Sequence, residues 1–330
     1  MPVIQWFKHI KLAALVAAIF AHGPLVADQM ESAKDLLARM AYASKNLSYQ
    51  GVFTYEYRGQ LRSVKVQHLV RDGETYERVT HMDGPAREIF RRADNVDCIR
   101  AGDMLLRGGA LKLDRGGYSK LEDLYEFHIR DDVRIAGRRA YRVEILPRDK
   151  LRYGYVVAID KISGLMLQSM LINQSGKPLE RFQYVDITFS EALDSVPLPA
   201  ELVNAPEVSQ SDCLISNQQV EPLPSQWEPK WLPPGFVLSS YQMQDDEESW
   251  MYTDGLAVFS VFIDSAERSR NLPPVDAKLG TTVAVLTKAQ FNNQHYAICV
   301  VGEIPRATAQ QIANAISPVI LTPQAQQQGH

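Results

Sequence analysis

The sequence predicts a mainly β protein of α+β type: one large antiparallel domain, a small α+β domain, and a proline-rich connector between them. Three observations predict it. From Tyr49 to His81, side chains alternate with a period of two through three runs joined by tight turns. The turns Ala136-Gly137, Ser163-Gly164 and Ser175-Gly176 then separate further apolar runs at antiparallel spacing. Between Asp194 and Pro234 periodicity stops and Pro197, Pro199, Pro206, Pro222, Pro224, Pro229, Pro233 and Pro234 crowd together, the mark of a stiff, extended connector.

Taken in order, the start reads as a secretory signal. Lys8, His9 and Lys11 precede an apolar run from Leu12 to Phe20, and Leu25-Val26-Ala27 forms a small-residue exit, with cleavage expected after Ala27. The apolar run is too short to cross roughly 30 Å of hydrocarbon. Removal takes two bases and no acid, moving the formal charge from −4 to −6. An acidic exported protein is a poor partner for nucleic acid. Met30 to Leu47 has one apolar stripe (Ala33, Leu36, Leu37, Met40, Ala41, Leu47) and reads as a helix lying on a sheet, with Ser32 as N-cap and Asp35 three residues on.

In the first strand Tyr49, Gly51, Phe53, Tyr55 and Tyr57 share a face. Arg58-Gly59-Gln60 turns the chain. The return strand places Val64, Val66, His68 and Val70 against Ser63, Lys65, Gln67 and Leu69, and Asp72-Gly73 leads into a third strand from Glu74 to Thr80. Further strands are expected at Arg87–Arg91, Asn95–Arg100, His128–Ile135, Arg138–Leu146, Tyr153–Ile159, Leu165–Asn173 and Leu179–Phe189, with a short helix over Ser119–Phe127. After the connector, strands are expected at Phe236–Met243, Leu256–Asp264, Thr281–Ala289 and Tyr296–Gly302. Thr253-Asp254-Gly255 and Asn292-Asn293 are the turns. A last helix carries Ala309, Ile312, Ile316 and Val319 behind a Thr308/Gln311 capping box. The resulting partition is signal 1–27, large domain 28–195, connector 196–234, small domain 235–322 and a disordered tail 323–330.

Chemistry is sparse. Cys98, Cys213 and Cys299 cannot all pair; Cys98 and Cys299 read as small buried hydrophobes and Cys213 as a linker thiol. His68, His81 and His128 stand singly, so no metal site and no cofactor are expected. No Gly-x-Ser-x-Gly stretch is present, the Gly108-Gly109 and Gly116-Gly117 pairs do not open a helix after a strand, and Asp245–Glu248 reads as a solvated turn. This is the profile of a binding protein rather than an enzyme. The arginines between 58 and 152 are either solvated strand faces or a rim for phosphates and carboxylates. The aromatics Tyr49–Tyr57 are either plain core or one wall of an apolar hollow.

Four stretches resemble the RseB/MucB family: Leu47–Glu56 (LSYQGVFTYE), Arg78–Glu88 (RVTHMDGPARE), Tyr252–Ile263 (YTDGLAVFSVFI) and Val300–Pro305 (VVGEIP) followed by a helix. The resemblance covers nearly the whole mature chain. It implies a periplasmic negative regulator of an envelope-stress sigma factor that binds the periplasmic domain of a transmembrane anti-sigma factor and shields it from site-one proteolysis. It further implies a large domain shaped as a half-open β-barrel, like those of lipoprotein carriers, that senses lipid or lipopolysaccharide, and a small domain that grips the anti-sigma factor. On that basis Phe53, Tyr55 and Tyr57, with Arg58 or Arg62 for a headgroup, are the expected lipid contacts. Trp250, Tyr252, Leu256, Phe259 and Phe262 are expected at the partner face or the core. A homodimer stays open. The alternative is a periplasmic lipid or lipoprotein carrier, which has no need of residues 236–320.

Overall fold

The computed structural model describes residues 32–57, 59–94, 117–189, 193, 197–204, 225–244, 247–265 and 276–319. The described residues from Ala33 onward group as one compact unit. The expectations for the signal, Cys98, Cys213, the Asn95–Arg100 strand, Gly108-Gly109, Gly116, Asp245-Asp246 and the tail lie outside the described residues.

Helix α1 (Ala33–Asn46) buries Leu36, Leu37, Met40 and Ala43, the three-and-four spacing that puts them on one side. The first meander follows as β1 (Tyr49–Tyr57), β2 (Gln60–Arg71), β3 (Glu74–His81) and β4 (Arg87–Asp94). Asp72 and Gly73 both take positive φ, 50° and 85°, so the β2–β3 turn twists with its strands. A second series comprises α2 (Gly117–Leu124), β5 (Tyr125–Ile135), β6 (Arg138–Pro147), β7 (Gly154–Asp160), β8 (Met166–Ile172) and β9 (Pro178–Phe189). The two series join through antiparallel β1 and β9 into one sheet, ordered β4-β3-β2-β1-β9-β8-β7-β6-β5. The sheet is mainly β and antiparallel as expected, and it is not closed: β4 and β5 are its two ends. At the β1–β9 seam, Gly51 lets the strands approach; a Cβ there would sit 2.5 Å from the Asp186 carbonyl oxygen.

Three local expectations change. The helix expected over Ser119–Phe127 stops at Leu124, and Tyr125 and Phe127 belong to β5. Tyr125 is fully buried and its hydroxyl has a partner far along the chain, which outweighs local helix propensity. Leu69, read on the polar side of β2, is fully buried with Leu193 and Leu202. Leu202 comes from α3 (Ala200–Val203), so packing on the large sheet continues past residue 195, where the connector was placed.

The small half contains β10 (Trp227–Pro229), β11 (Val237–Gln244), β12 (Glu247–Thr253), β13 (Val258–Ser265), β14 (Asp276–Leu279), β15 (Thr282–Phe291), β16 (Gln294–Gly302), α4 (Arg306–Ala315) and β17 (Ile316–Pro318). Six of these strands form a sheet ordered β11-β12-β13-β16-β15-β14, and β10 pairs with β17. Helix α4 starts behind Pro305 with no side-chain cap. Thr308 lies buried inside it, its hydroxyl without a partner, so the expected capping box does not form. Ile316 leaves the helix to pair opposite Pro229. Strands β10, β14 and β17 escaped the sequence reading because three or four residues are too few to show a period, and β12 because Glu247 and Glu248 read as part of a solvated turn, whereas Glu248 is buried in the strand.

Asp160 closes β7. Its carboxylate accepts Arg138 Nε at 2.9 Å and Nη2 at 2.8 Å, and the Ser163 N–H at 2.7 Å and O–H at 2.8 Å. Burial pushes its pKa up, but Arg138 and Ser163 outweigh that and hold it below the usual value. Its contribution is therefore present above the unfolded-state pKa and lost as pH falls through the lower folded-state value. Asp160→Ala should cost about 2 kcal/mol at neutral pH, and urea unfolding should show the gap to wild type shrinking in acid. A gap that persists unchanged in acid would rule this account out.

Candidate functional site

The large and small halves meet through two sets of side chains. The first is built on the turn Thr253–Ala257 between β12 and β13. Asp254 Oδ1 accepts the Leu256 and Ala257 N–H groups at 2.9 and 2.7 Å, and the Gly255 N–H donates to Thr253 Oγ1 at 3.0 Å. This local Asx geometry leaves Asp254 Oδ2 pointing out of the loop. That oxygen accepts the Tyr125 hydroxyl at 2.9 Å and an Arg152 Nη1–H. Leu256 at the loop tip is 2% exposed, and it packs with the core of the large half, among residues such as Tyr125 and Tyr155. The Tyr155 hydroxyl donates to the Leu256 carbonyl at 3.2 Å.

Arg152 is wholly buried. Its Nη2 donates to Asp149 at 3.0 Å and to the Pro234 carbonyl at 2.7 Å, and its guanidinium lies 5.6 Å from the Tyr125 ring and 5.1 Å from Phe236. Burial alone would lower its pKa; Asp254, Tyr125 and Asp149 more than reverse that, so the cation is held. Gly235, at φ 84°, rests on Leu124: a Cβ there would lie 2.3 Å from its Cδ1.

The second set uses the aromatic face of β1. Tyr55 donates to Glu180 Oε2 at 2.7 Å, and Glu180 Oε1 accepts both the N–H (3.3 Å) and the hydroxyl of Thr281, from the small half. The Tyr57 ring lies against Gly280, whose φ of 68° and missing side chain make room for it; a Cβ there would meet Tyr57 Cε2 at 2.1 Å. Burial, then the Glu180 hydrogen bond, raises the Tyr55 pKa.

The structure places Phe53, Tyr55 and Tyr57, three of the expected lipid residues, on one face of β1. Phe53 is half-buried, its ring 4.7 Å from Phe182 and 5.8 Å from Tyr184. Tyr55 and Tyr57 stack at 6.1 Å and face the small half. Arg62 stands opposite Tyr55 in the β1–β2 register and is exposed, whereas Arg58 lies outside the described residues. A cavity of about 290 Å³ opens on the other, polar face, lined by Gln50, Lys65, Gln67, Arg78, Thr80 and Glu88. Many arginines of the 58–152 stretch are matched to carboxylates, as in Arg78–Glu88, Arg130–Glu144 and Arg148–Glu126, which favours the reading as solvated strand faces. Trp250, Tyr252 and Phe259 are buried in the core of the small half; Phe262, on the opposite face of β13, keeps partial exposure. Sequence reading missed Arg152, Asp254 and Glu180. Leu256, read as the first residue of a strand, instead belongs to the loop ahead of β13, which starts at Val258.

Among the described residues, no group of three His, Cys, Asp or Glu side chains could hold a metal, and no helix is long and apolar enough to cross a membrane. The arrangement defines a β-sheet binding protein whose buried polar groups hold two halves together.

The MucB/RseB N-terminal domain model matches residues 32–202 and the MucB/RseB C-terminal domain model matches residues 221–317. The chain belongs to the MucB/RseB family. Sigma factor AlgU regulatory protein MucB of Pseudomonas aeruginosa is 33% identical, over 88% of this chain and 93% of its own length. Sigma-E factor regulatory protein RseB of Haemophilus influenzae is 28% identical, over 93% and 98%. Among solved structures, MucB in complex with MucA(peri) gives a TM-score of 0.68 at 32% identity, covering 88% of this chain and 100% of that one. A structure described simply as MucB gives 0.56 at 31%, covering 87% and 98%. The chain is accordingly a regulatory protein of the sigma-factor class and not an enzyme.

Proposed function

We propose that this protein is an exported, periplasmic regulator that binds the periplasmic segment of a membrane-spanning anti-sigma factor, shields it from the first protease, and lets go on sensing lipid or lipopolysaccharide. One observation carries the reading: with nearly equal identity and coverage, the chain superposes better on MucB holding MucA(peri) than on the structure described as MucB. That difference supports reading the relation of the halves described above as the partner-holding one. A lipid on Phe53, Tyr55 and Tyr57, with Arg62 or Arg58 at its headgroup, would compete with Gly280 and Thr281 for the same aromatic face. That competition supplies the differential binding that release requires, about 5.5 kcal/mol for a shift from 99:1 to 1:99. Burying about ten methylenes is worth up to about 8 kcal/mol, which suffices. Trp250, Tyr252, Leu256 and Phe259 then support the grip from within, and Phe262 offers the face on β13 that the partner can reach.

Protease protection tests it. The mature chain should protect the anti-sigma segment from cleavage, added lipopolysaccharide should abolish protection, and Phe53→Asp in a folded protein should keep protection while losing the response to lipid. A lipid or lipoprotein carrier would instead retain no anti-sigma segment in a pull-down.

A further inference from the structure

The polar face of the first meander carries a cavity that neither the fold nor the proposed function uses. Register sets its side chains in two neighbouring rows across the strands. Gln50, Gln67 and Arg78 form one row; Lys65, Thr80 and Glu88 form the other. Together they line the volume of about 290 Å³. Beyond Gln67 the same face is covered, because Leu69 packs with Leu202 of α3. The hydrogen-bonding capacity of the six is only partly spent. Arg78 Nη2 and the Thr80 hydroxyl both donate to Glu88 Oε1, at 2.8 and 3.1 Å. The Arg78 guanidinium also lies 5.6 Å from the Phe90 ring, so it is held from two sides. The Gln50 and Gln67 amides and the Lys65 ammonium bond to no other described residue. Three polar side chains with unspent donors therefore converge on one hollow.

Charge decides what fits. Lys65 and Arg78 against Glu88 leave the lining with a single positive charge. A dianionic phosphate monoester exceeds that charge and meets the Glu88 carboxylate as well. A neutral sugar leaves the Lys65 ammonium without a counter-charge. A sugar with one carboxylate matches on both counts: its anion accepts from Lys65 and the amide N–H groups, and its hydroxyls donate to Glu88 and to the amide oxygens. The volume stands at the lower end for small-molecule sites, which suits one sugar unit. We infer that this cavity binds a monoanionic sugar acid of the uronate type, its carboxylate held by Lys65 with Gln50 and Gln67, and its hydroxyls by Glu88 and Thr80.

The inference involves neither the anti-sigma segment nor the lipid face, so it can fail while the proposed function stands, and the reverse. D-glucuronate is the probe, with D-glucose and D-glucose 6-phosphate as its neutral and dianionic counterparts. Backbone amide NMR shifts of Gln50, Lys65, Gln67 and Thr80 report on the site. Glucuronate should shift them saturably, with a Kd of about 1 mM, ordinary for a ligand of that size. Each counterpart should bind about tenfold more weakly or worse, the worth of one charge-assisted hydrogen bond. Lys65 is exposed, so Lys65→Met should fold normally. It should lose about tenfold in glucuronate affinity and leave glucose unchanged. Three results would each overturn the site: no saturable shift at these amides with glucuronate, glucose or glucose 6-phosphate binding as tightly as glucuronate, or Lys65→Met binding glucuronate as the wild type does.

Discussion

Asp254→Ala should destabilise the protein by about 3–5 kcal/mol, because it leaves the Arg152 cation buried without its main counter-charge. Both side chains are fully enclosed, so neither can recover hydration by turning outward. The same change removes the acceptor for the Leu256 and Ala257 N–H groups, so the loop loses its shape along with its charge partner. Urea unfolding measures the loss. The double change Arg152→Met with Asp254→Leu should recover much of it, since a buried pair replaced by apolar groups of like volume is often close to neutral. A loss below about 1 kcal/mol for Asp254→Ala would mean that Asp149 and the Pro234 carbonyl alone satisfy Arg152.

Leu256→Ala should cost about 2–5 kcal/mol, the range for emptying a fully buried leucine site. Where the loss appears matters more than its size. Leu256 is covalently part of the small half but packs in the core of the large one. Amide exchange should therefore rise in β5, β6 and β7 at least as much as in β12 and β13. A rise confined to β12 and β13 would show that Leu256 stabilises only its own sheet.

Much of the fold was legible because it rests on near-neighbour periodicity. The β1–β2–β3 meander declares itself through alternation and through Asp72-Gly73, and β5 to β9 through regularly spaced Gly turns. The pairing of β1 with β9 was not legible: the first and last strands of the sheet lie well over a hundred residues apart, and nothing local names the neighbour. The site was less legible still. Asp254 reads as half of an ordinary turn until Arg152 and Tyr125 are brought to it across the fold. Tyr55 and Tyr57 were correctly placed on the apolar face, but alternation cannot say whether a lipid, a ring or a second sheet lies against that face. Here Phe182 and Tyr184 back Phe53, Gly280 meets Tyr57, and Thr281 shares the Glu180 carboxylate with Tyr55.

The lodging of Leu256 has a consequence for biogenesis. Strands β1 to β9 all precede Leu256 in the chain, so a large sheet that assembles first waits with a vacant socket lined by greasy side chains. Until the later chain arrives, those side chains stay open to water. A chain truncated after Phe189 should consequently be sticky in solution, however regular its strands.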